Sequence, residues 1–152
     1  MGVIMGKNLL LFDVGNTTTK VGLDGGAGMR QFSFRTDSRL TPDDIGMKLL
    51  FLLDRAGVSL ESVEAAVVSS VVPGVDYELV SAVEHYVGCP VLFVPRDIPV
   101  PLENRYRNPR EVGADRLGVS CAARMLFPNP ARTRQRAYGM ALFSALQALW
   151  TA

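Results

Sequence analysis

Asn8-Leu9-Leu10-Leu11-Phe12-Asp13-Val14-Gly15-Asn16-Thr17-Thr18-Thr19-Lys20 is the stretch that decides the fold. Asn8 to Phe12 is a short apolar run that ends in Asp13, Gly15 and Asn16, the punctuation of a buried strand passing into a tight turn. An acid at the carboxyl end of such a strand points into the crevice where open α/β sheets bind ligands. Gly15 lets the backbone approach an anion closely, and Asn16, Thr17 and Thr18 supply the amide and hydroxyl donors of a phosphate cradle. Asp13 beside them suits magnesium, which takes one or two carboxylates plus phosphate oxygens and water. The same residues also suit a hairpin turn whose Asn and Thr side chains cap their own backbone. Local chemistry leaves both readings open. The stretch is not a P-loop, because no GxxxxGK[ST] occurs, and the glycines around Gly25 lack dinucleotide spacing and read as a turn.

Outward from this turn, Lys20 to Leu23 reads as a second strand, Asp24 to Gly28 as a hairpin-type turn and Met29 to Arg35 as a third strand. Thr41 is an expected N-cap, with Pro42 at the first helical position and Asp43 and Asp44 in the first turn. Ile45, Leu49, Leu52, Leu53 and Ala56 keep helical spacing until Gly57. Ala65 to Ser70 is a strand, Asp76 to Val87 a helix and Val91 to Val94 a strand. Asn108 and Glu111 then cap a helix that runs over Gly113 to Leu126. Three antiparallel strands followed by alternating α and β predict an α/β fold, a mixed sheet with helices on its faces.

Hydrophobic residues make up 48% of the 152 residues and charged residues 20%, enough apolar surface for a real core. The net charge of +1 gives no global field to recruit nucleic acid or acidic membrane. No run approaches the roughly 20 apolar residues of a membrane helix, and Asp13 interrupts the first apolar run too early for a secretory leader. Two cysteines without metal-type spacing suit a reducing compartment, and a cytoplasmic protein is expected. Cys89 and Cys121 read as small core residues, and His85 as a surface or partly packed side chain.

A second string, Tyr106-Arg107-Asn108-Pro109-Arg110-Glu111-Val112-Gly113-Ala114-Asp115-Arg116, sits at the start of the last predicted helix. Gly113 and Ala114 leave room for a substrate before Asp115. That carboxylate can take the proton of a hydroxyl nucleophile, and Arg116 can hold a substrate anion. The alternative is an acid stabilised by the helix dipole beside a surface arginine.

Together the two strings resemble the type III pantothenate kinase family of the acetate-sugar kinase/Hsp70/actin superfamily. Asp13 to Thr17 matches its Asp-Val-Gly-Asn-Thr, Ser70-Val71-Val72-Pro73 its Ser-Val-Val-Pro, and Tyr106 to Arg116 its Tyr-x-Asn-Pro-x-x-x-Gly-Ala-Asp-Arg. The resemblance implies an RNase H-like (actin-like ATPase) half-domain over residues 1–128 and ATP-dependent phosphorylation of pantothenate. It implies that Asp13 positions Mg2+, that Gly15, Asn16 and Thr17 cradle ATP phosphates, and that Asp115 is the base. It also implies that Tyr106, Gly113 and Arg116 line the pantothenate pocket, in a homodimer that depends on a monovalent cation, K+ or NH4+.

The chain departs from the family after Phe127-Pro128-Asn129. Members carry a second domain that opens with an Asp-Phe-Gly-Thr-type turn, whereas here no Asp or Glu follows Asp115. Residues 129–152 are first basic (Arg132, Arg134, Arg136) and then apolar, with Met140, Phe143, Leu146 and Trp150 at the spacing of one helix face. A shifted reading frame or a truncated gene is the expected cause, and little kinase activity is expected from the chain alone. Two other readings remain: a non-catalytic anion-binding or interaction module that keeps the fold, and another phosphorylating member of the superfamily, which the Tyr106 to Arg116 string disfavours.

Overall fold

The computed structural model describes residues 8–24, 29–94 and 96–98. They form β1 (Asn8–Val14), β2 (Thr18–Asp24), β3 (Met29–Arg35), α1 (Pro42–Ala56), a 3-10 turn (Leu60–Ser62), β4 (Val63–Ser70), α2 (Pro73–Ala82) and β5 (Val91–Phe93). The five strands make one sheet in the order β3-β2-β1-β4-β5. β1 pairs antiparallel with β2, and β2 with β3, whereas β4 lies parallel to both β1 and β5. This is the expected mixed, RNase H-like arrangement, with β1 as the strand where the two pairing modes meet.

Alternation along β1 divides the core. Leu10, Phe12 and Val14 point to one face with Val21, Leu23, Ala66 and Val68, and there they meet Ile45, Leu49 and Leu53 of α1 and Leu79 and Ala82 of α2. Leu9 and Leu11 point to the other face with Ala65 and Val67, and join Val94, Met29 and Ile98. Both described helices therefore cover the same face. Leu11, Phe12, Val67 and Val68 have no exposed surface, and each such side chain contributes about 1.5–3 kcal/mol of burial.

α1 begins as its sequence predicts. The Thr41 hydroxyl accepts from the Asp44 N–H, and the Asp44 carboxylate accepts from the Thr41 N–H, a complete capping box. Gly57 ends the helix in the left-handed region (φ 69°), and the Gly57 and Val58 N–H groups reach back to the last turn. α2 starts at Pro73 rather than Asp76, three residues earlier than its apolar pattern indicates. It then widens into a π turn over Val83–Val87 before Gly88 stops it with φ 79°. α1 and α2 approach closely at Gly46, which packs under the Tyr86 ring, and the Tyr86 hydroxyl donates to Asp43 Oδ1 at 2.5 Å. The expected turn at 25–28, the helix over 113–126, Cys121 and the tail at 129–152 lie outside the described residues. Cys89 is buried, as expected, and its thiol is pushed up to about 11 by burial. His85 is exposed and meets the edge of the Tyr86 ring.

Candidate functional site

Asp13 and Val14 close β1, and Ser69 and Ser70 close the parallel β4, with Asp13 opposite Ser69 and Val14 opposite Ser70. The ladder continues one step further, because the Val71 N–H donates to the Val14 carbonyl at 3.1 Å. The carboxyl ends of two parallel strands thus lie side by side, with the turn from Gly15 to Thr17 leaving one and α2 leaving the other. In an open α/β sheet this is where ligands bind.

Two backbone hydrogen bonds hold the turn. The Gly15 N–H donates to the Thr18 carbonyl at 3.1 Å, and a Cβ on Gly15 would meet that same oxygen at 3.1 Å. The need for glycine is therefore a close approach within the turn rather than a left-handed backbone, since Gly15 is not among the positive-φ residues. The Thr17 carbonyl accepts from the Thr36 N–H at 2.9 Å, and the Thr19 and Thr36 hydroxyls share a 2.8 Å hydrogen bond. These bonds tie the turn to the segment after β3 and leave Asn16, Thr17 and Thr18 exposed, with their side chains at the surface. Thr36 was invisible to sequence reasoning because its role depends on the β2–β3 pairing.

Asp13 is half-buried on the face of the sheet opposite α1 and α2, in line with Leu9 and Leu11. Across the strands, Lys20 of β2 stands opposite Asp13, and Ser33 of β3 opposite Lys20. The row on this face therefore runs Ser33, Lys20, Asp13, Ser69: a cation, a carboxylate and two hydroxyls beyond the apolar Leu9, Leu11, Ala65 and Val67 of the two central strands. Ser69 is 1% exposed, and its Oγ has no hydrogen-bond partner among the described residues. A buried hydroxyl left in that state costs about 1–3 kcal/mol. Ser70 points to the opposite face and spends its Oγ on the Val72 N–H at 3.1 Å. With Pro73 at the first helical position, this gives Ser70-Val71-Val72-Pro73 a plain role as the strand-to-helix junction.

The residues fit magnesium in the manner this ion prefers. Asp13 offers one hard carboxylate oxygen donor beside hydroxyls, which leaves water and phosphate to complete an octahedral shell. No group of three or more His, Cys, Asp or Glu side chains suited to a metal occurs among the described residues, so an all-protein cage is not what this sheet end provides. Past β5, Asp97 accepts from the Phe93 N–H at 2.8 Å and pairs with Arg96. The Arg96 hydrogen bond, together with that N–H, holds the Asp97 carboxyl below its usual range. A shallow depression lined by Asp43, Met47, Lys48 and Phe51 lies on the outer side of α1, on the helix-covered face and not with Asp13. Tyr106, Gly113, Ala114, Asp115 and Arg116 lie outside the described residues, so the structure neither joins them to Asp13 nor separates them from it.

The family profile described as type III pantothenate kinase matches residues 9–132. The chain belongs to the type III pantothenate kinase family. A curated type III pantothenate kinase from Desulfovibrio desulfuricans is 53% identical over 128 residues, which cover 82% of this chain and 48% of that protein. One from Nitratidesulfovibrio vulgaris is 46% identical over 127 residues, 83% of this chain and 48% of that protein. The chain thus spans about half the length of these type III pantothenate kinases. Among solved structures, a Bacteroides thetaiotaomicron protein with an actin-like ATPase fold and unknown function overlaps 60% of this chain and 34% of its own at 8% identity and a TM-score of 0.45. A likeness of that size bears on neither chemistry nor partner.

Proposed function

We propose that the chain carries the phosphate-binding turn and the substrate base of an enzyme that phosphorylates pantothenate with ATP, the first step toward coenzyme A. The observation that carries this reading is the polar turn Asp13 to Thr18 at the adjoining carboxyl ends of β1 and β4, in a chain of the kinase family. Gly15, Asn16, Thr17 and Thr18 bind phosphate oxygens of ATP through backbone and side-chain donors. Asp13 is the residue that holds Mg2+, whose charge, when bound, offsets that of the phosphates. Tyr106, Gly113, Ala114 and Arg116 hold pantothenate with its primary hydroxyl next to Asp115. The hydroxyl oxygen bonds to the terminal phosphorus as the bond to the ADP oxygen breaks, and its proton passes to the Asp115 carboxylate. A monovalent cation (K+ or NH4+), a homodimer and a cytoplasmic location complete the proposal. The family supports them, and no described helix is long and apolar enough to cross a membrane.

The test is ATP-dependent phosphorylation of pantothenate by the purified chain with Mg2+ and K+ or NH4+, beside Asp13→Asn and Asp115→Asn. Because the chain spans about half of its relatives' length, turnover by these 152 residues alone is expected to be low, for want of a complete electrostatic clamp on the phosphates. Addition of the remaining half of a relative is expected to raise it, and both substitutions to abolish it. Full activity of the Asp115→Asn chain would overturn the assignment of the base. A second reading is a phosphate-binding module that keeps the Asp13 to Thr18 turn without turnover. Under that reading MgATP binds, and mixing restores nothing.

A further inference from the structure

The Ser69 hydroxyl is unexplained by the fold. It is buried on the face opposite α1 and α2, opposite Asp13 in register, and has no hydrogen-bond partner among the described residues. Neighbouring strands run about 4.8 Å apart, so a group held by the Asp13 carboxylate lies within a hydroxyl's reach of the next strand. We propose that Ser69 is a positioning residue of the Asp13 site, its hydroxyl donating to an oxygen of the magnesium–phosphate group that Asp13 helps hold. This inference rests on the phosphate reading of the Asp13 turn. The family strings quoted above leave Ser69 without a role, and Ser70, the serine that begins one of them, is already occupied by the Val72 N–H. A hydroxyl suits this duty. Beside Asp13 a second carboxylate would repel phosphate, whereas serine donates without adding charge. A donor with no partner among the described residues is then a preorganised one, satisfied when the ligand binds.

The proposal predicts effects of opposite sign on stability and on binding. Ser69→Ala removes a buried group that makes no hydrogen bond among the described residues, so the melting temperature without ligand is expected to stay within about 2 °C of wild type or to rise. Binding is read without turnover, by water-proton relaxation during titration of the full chain with Mn2+ alone and with Mn2+·ATP, alongside Asp13→Asn. Loss of a hydrogen bond to a charged oxygen weakens Mn2+·ATP about tenfold or more. If Mn2+ alone weakens equally, the hydroxyl meets a metal-bound water. If only the nucleotide complex weakens, it meets a phosphate oxygen. Either pattern supports the proposal. Mn2+·ATP affinity within about twofold of wild type in Ser69→Ala, while Asp13→Asn loses it, overturns the role of Ser69 and leaves the phosphate reading standing. No affinity in wild type overturns both. A Ser69→Ala chain that no longer melts cooperatively also overturns it, because the hydroxyl then serves the fold.

Discussion

Replacement of Gly46 by alanine tests the packing that seats α1 against the end of α2. A Cβ at Gly46 would fall inside 3.0 Å of three ring atoms of Tyr86, so the ring must leave its seat. The ring is also anchored at its far end by the hydroxyl on Asp43, which removes the easiest direction of escape. Overpacking of this kind costs about 1–3 kcal/mol. Against it stands the better helix propensity of alanine in the interior of α1, worth about 1 kcal/mol. With the ring held at both ends, the overpacking cost falls in the upper part of that range, about 2–3 kcal/mol, which leaves a net loss of about 1–2 kcal/mol. At about 2–4 °C per kcal/mol for a chain of 152 residues, Gly46→Ala lowers the melting temperature by about 2–8 °C. Gly74 is the control. It lies in the first turn of α2 with nothing within 4 Å of its Cβ position, so Gly74→Ala raises stability by about 0.4–1 kcal/mol. Thermal melts of the two single variants, and of Gly46→Ala combined with Tyr86→Ala, decide the matter. With the ring gone, the Gly46 substitution should cost nothing further, a strong coupling of neighbours. If both glycine variants raise stability equally, Tyr86 does not sit on Gly46 and the account of the α1–α2 seam is wrong.

Gly15→Ala pushes a methyl group to 3.1 Å from the Thr18 carbonyl in a turn pinned at Thr36. It should cost about 1 kcal/mol in urea unfolding and weaken Mn2+·ATP more than a remote substitution of equal cost does. Acid should destabilise the domain. Asp37 is held at about 2 by its hydrogen bonds from Arg39, and Asp44 below the ordinary 3.8 by those from Thr41. Depressed carboxyls stabilise above their unfolded value and lose that contribution as pH falls toward the folded one, so stability drops between about pH 4 and pH 2. Asp37→Asn with Asp44→Asn should flatten that limb of the pH–stability curve. Burial pushes the Cys89 thiol up to about 11, so peptide mapping after alkylation at pH 8 should find Cys89 unmodified in folded protein and labelled in urea. Labelling at equal rates would contradict its burial.

Features written in neighbouring residues were the legible ones. β3 runs over the same Met29–Arg35 in sequence and structure, and α1 starts after Thr41 and stops at Gly57, because the cap, the proline and the glycine each act within a turn. α2 was misjudged at its start because Val72 makes no side-chain cap. Pro73 alone marks the first helical position there, and the buried apolar residues accumulate only further on. Nothing local announces the π turn at Val83–Val87, whose extra residue per turn is set by packing on α1. At the candidate site, the strand end and tight turn over Asp13 to Thr18 could be read from spacing, while their chemistry stayed open between a phosphate cradle and a capped hairpin turn. Ser69 and Thr36 could not, because each acquires its meaning from the register of a strand far away in sequence.

Pairing of β1 on both edges separates the motions of the carboxylate from those of its donors. Asp13 is bonded into the middle of the sheet, between β2 and β4, so its amide should exchange with solvent only through global opening. Gly15 to Thr17 hang from a few bonds at the rim, and their amides should exchange through small local fluctuations. On the proposed phosphate reading, an incoming polyanion would meet a fixed carboxylate and a compliant set of donors. The loop would then adjust its grip on the phosphates while the carboxylate keeps its place.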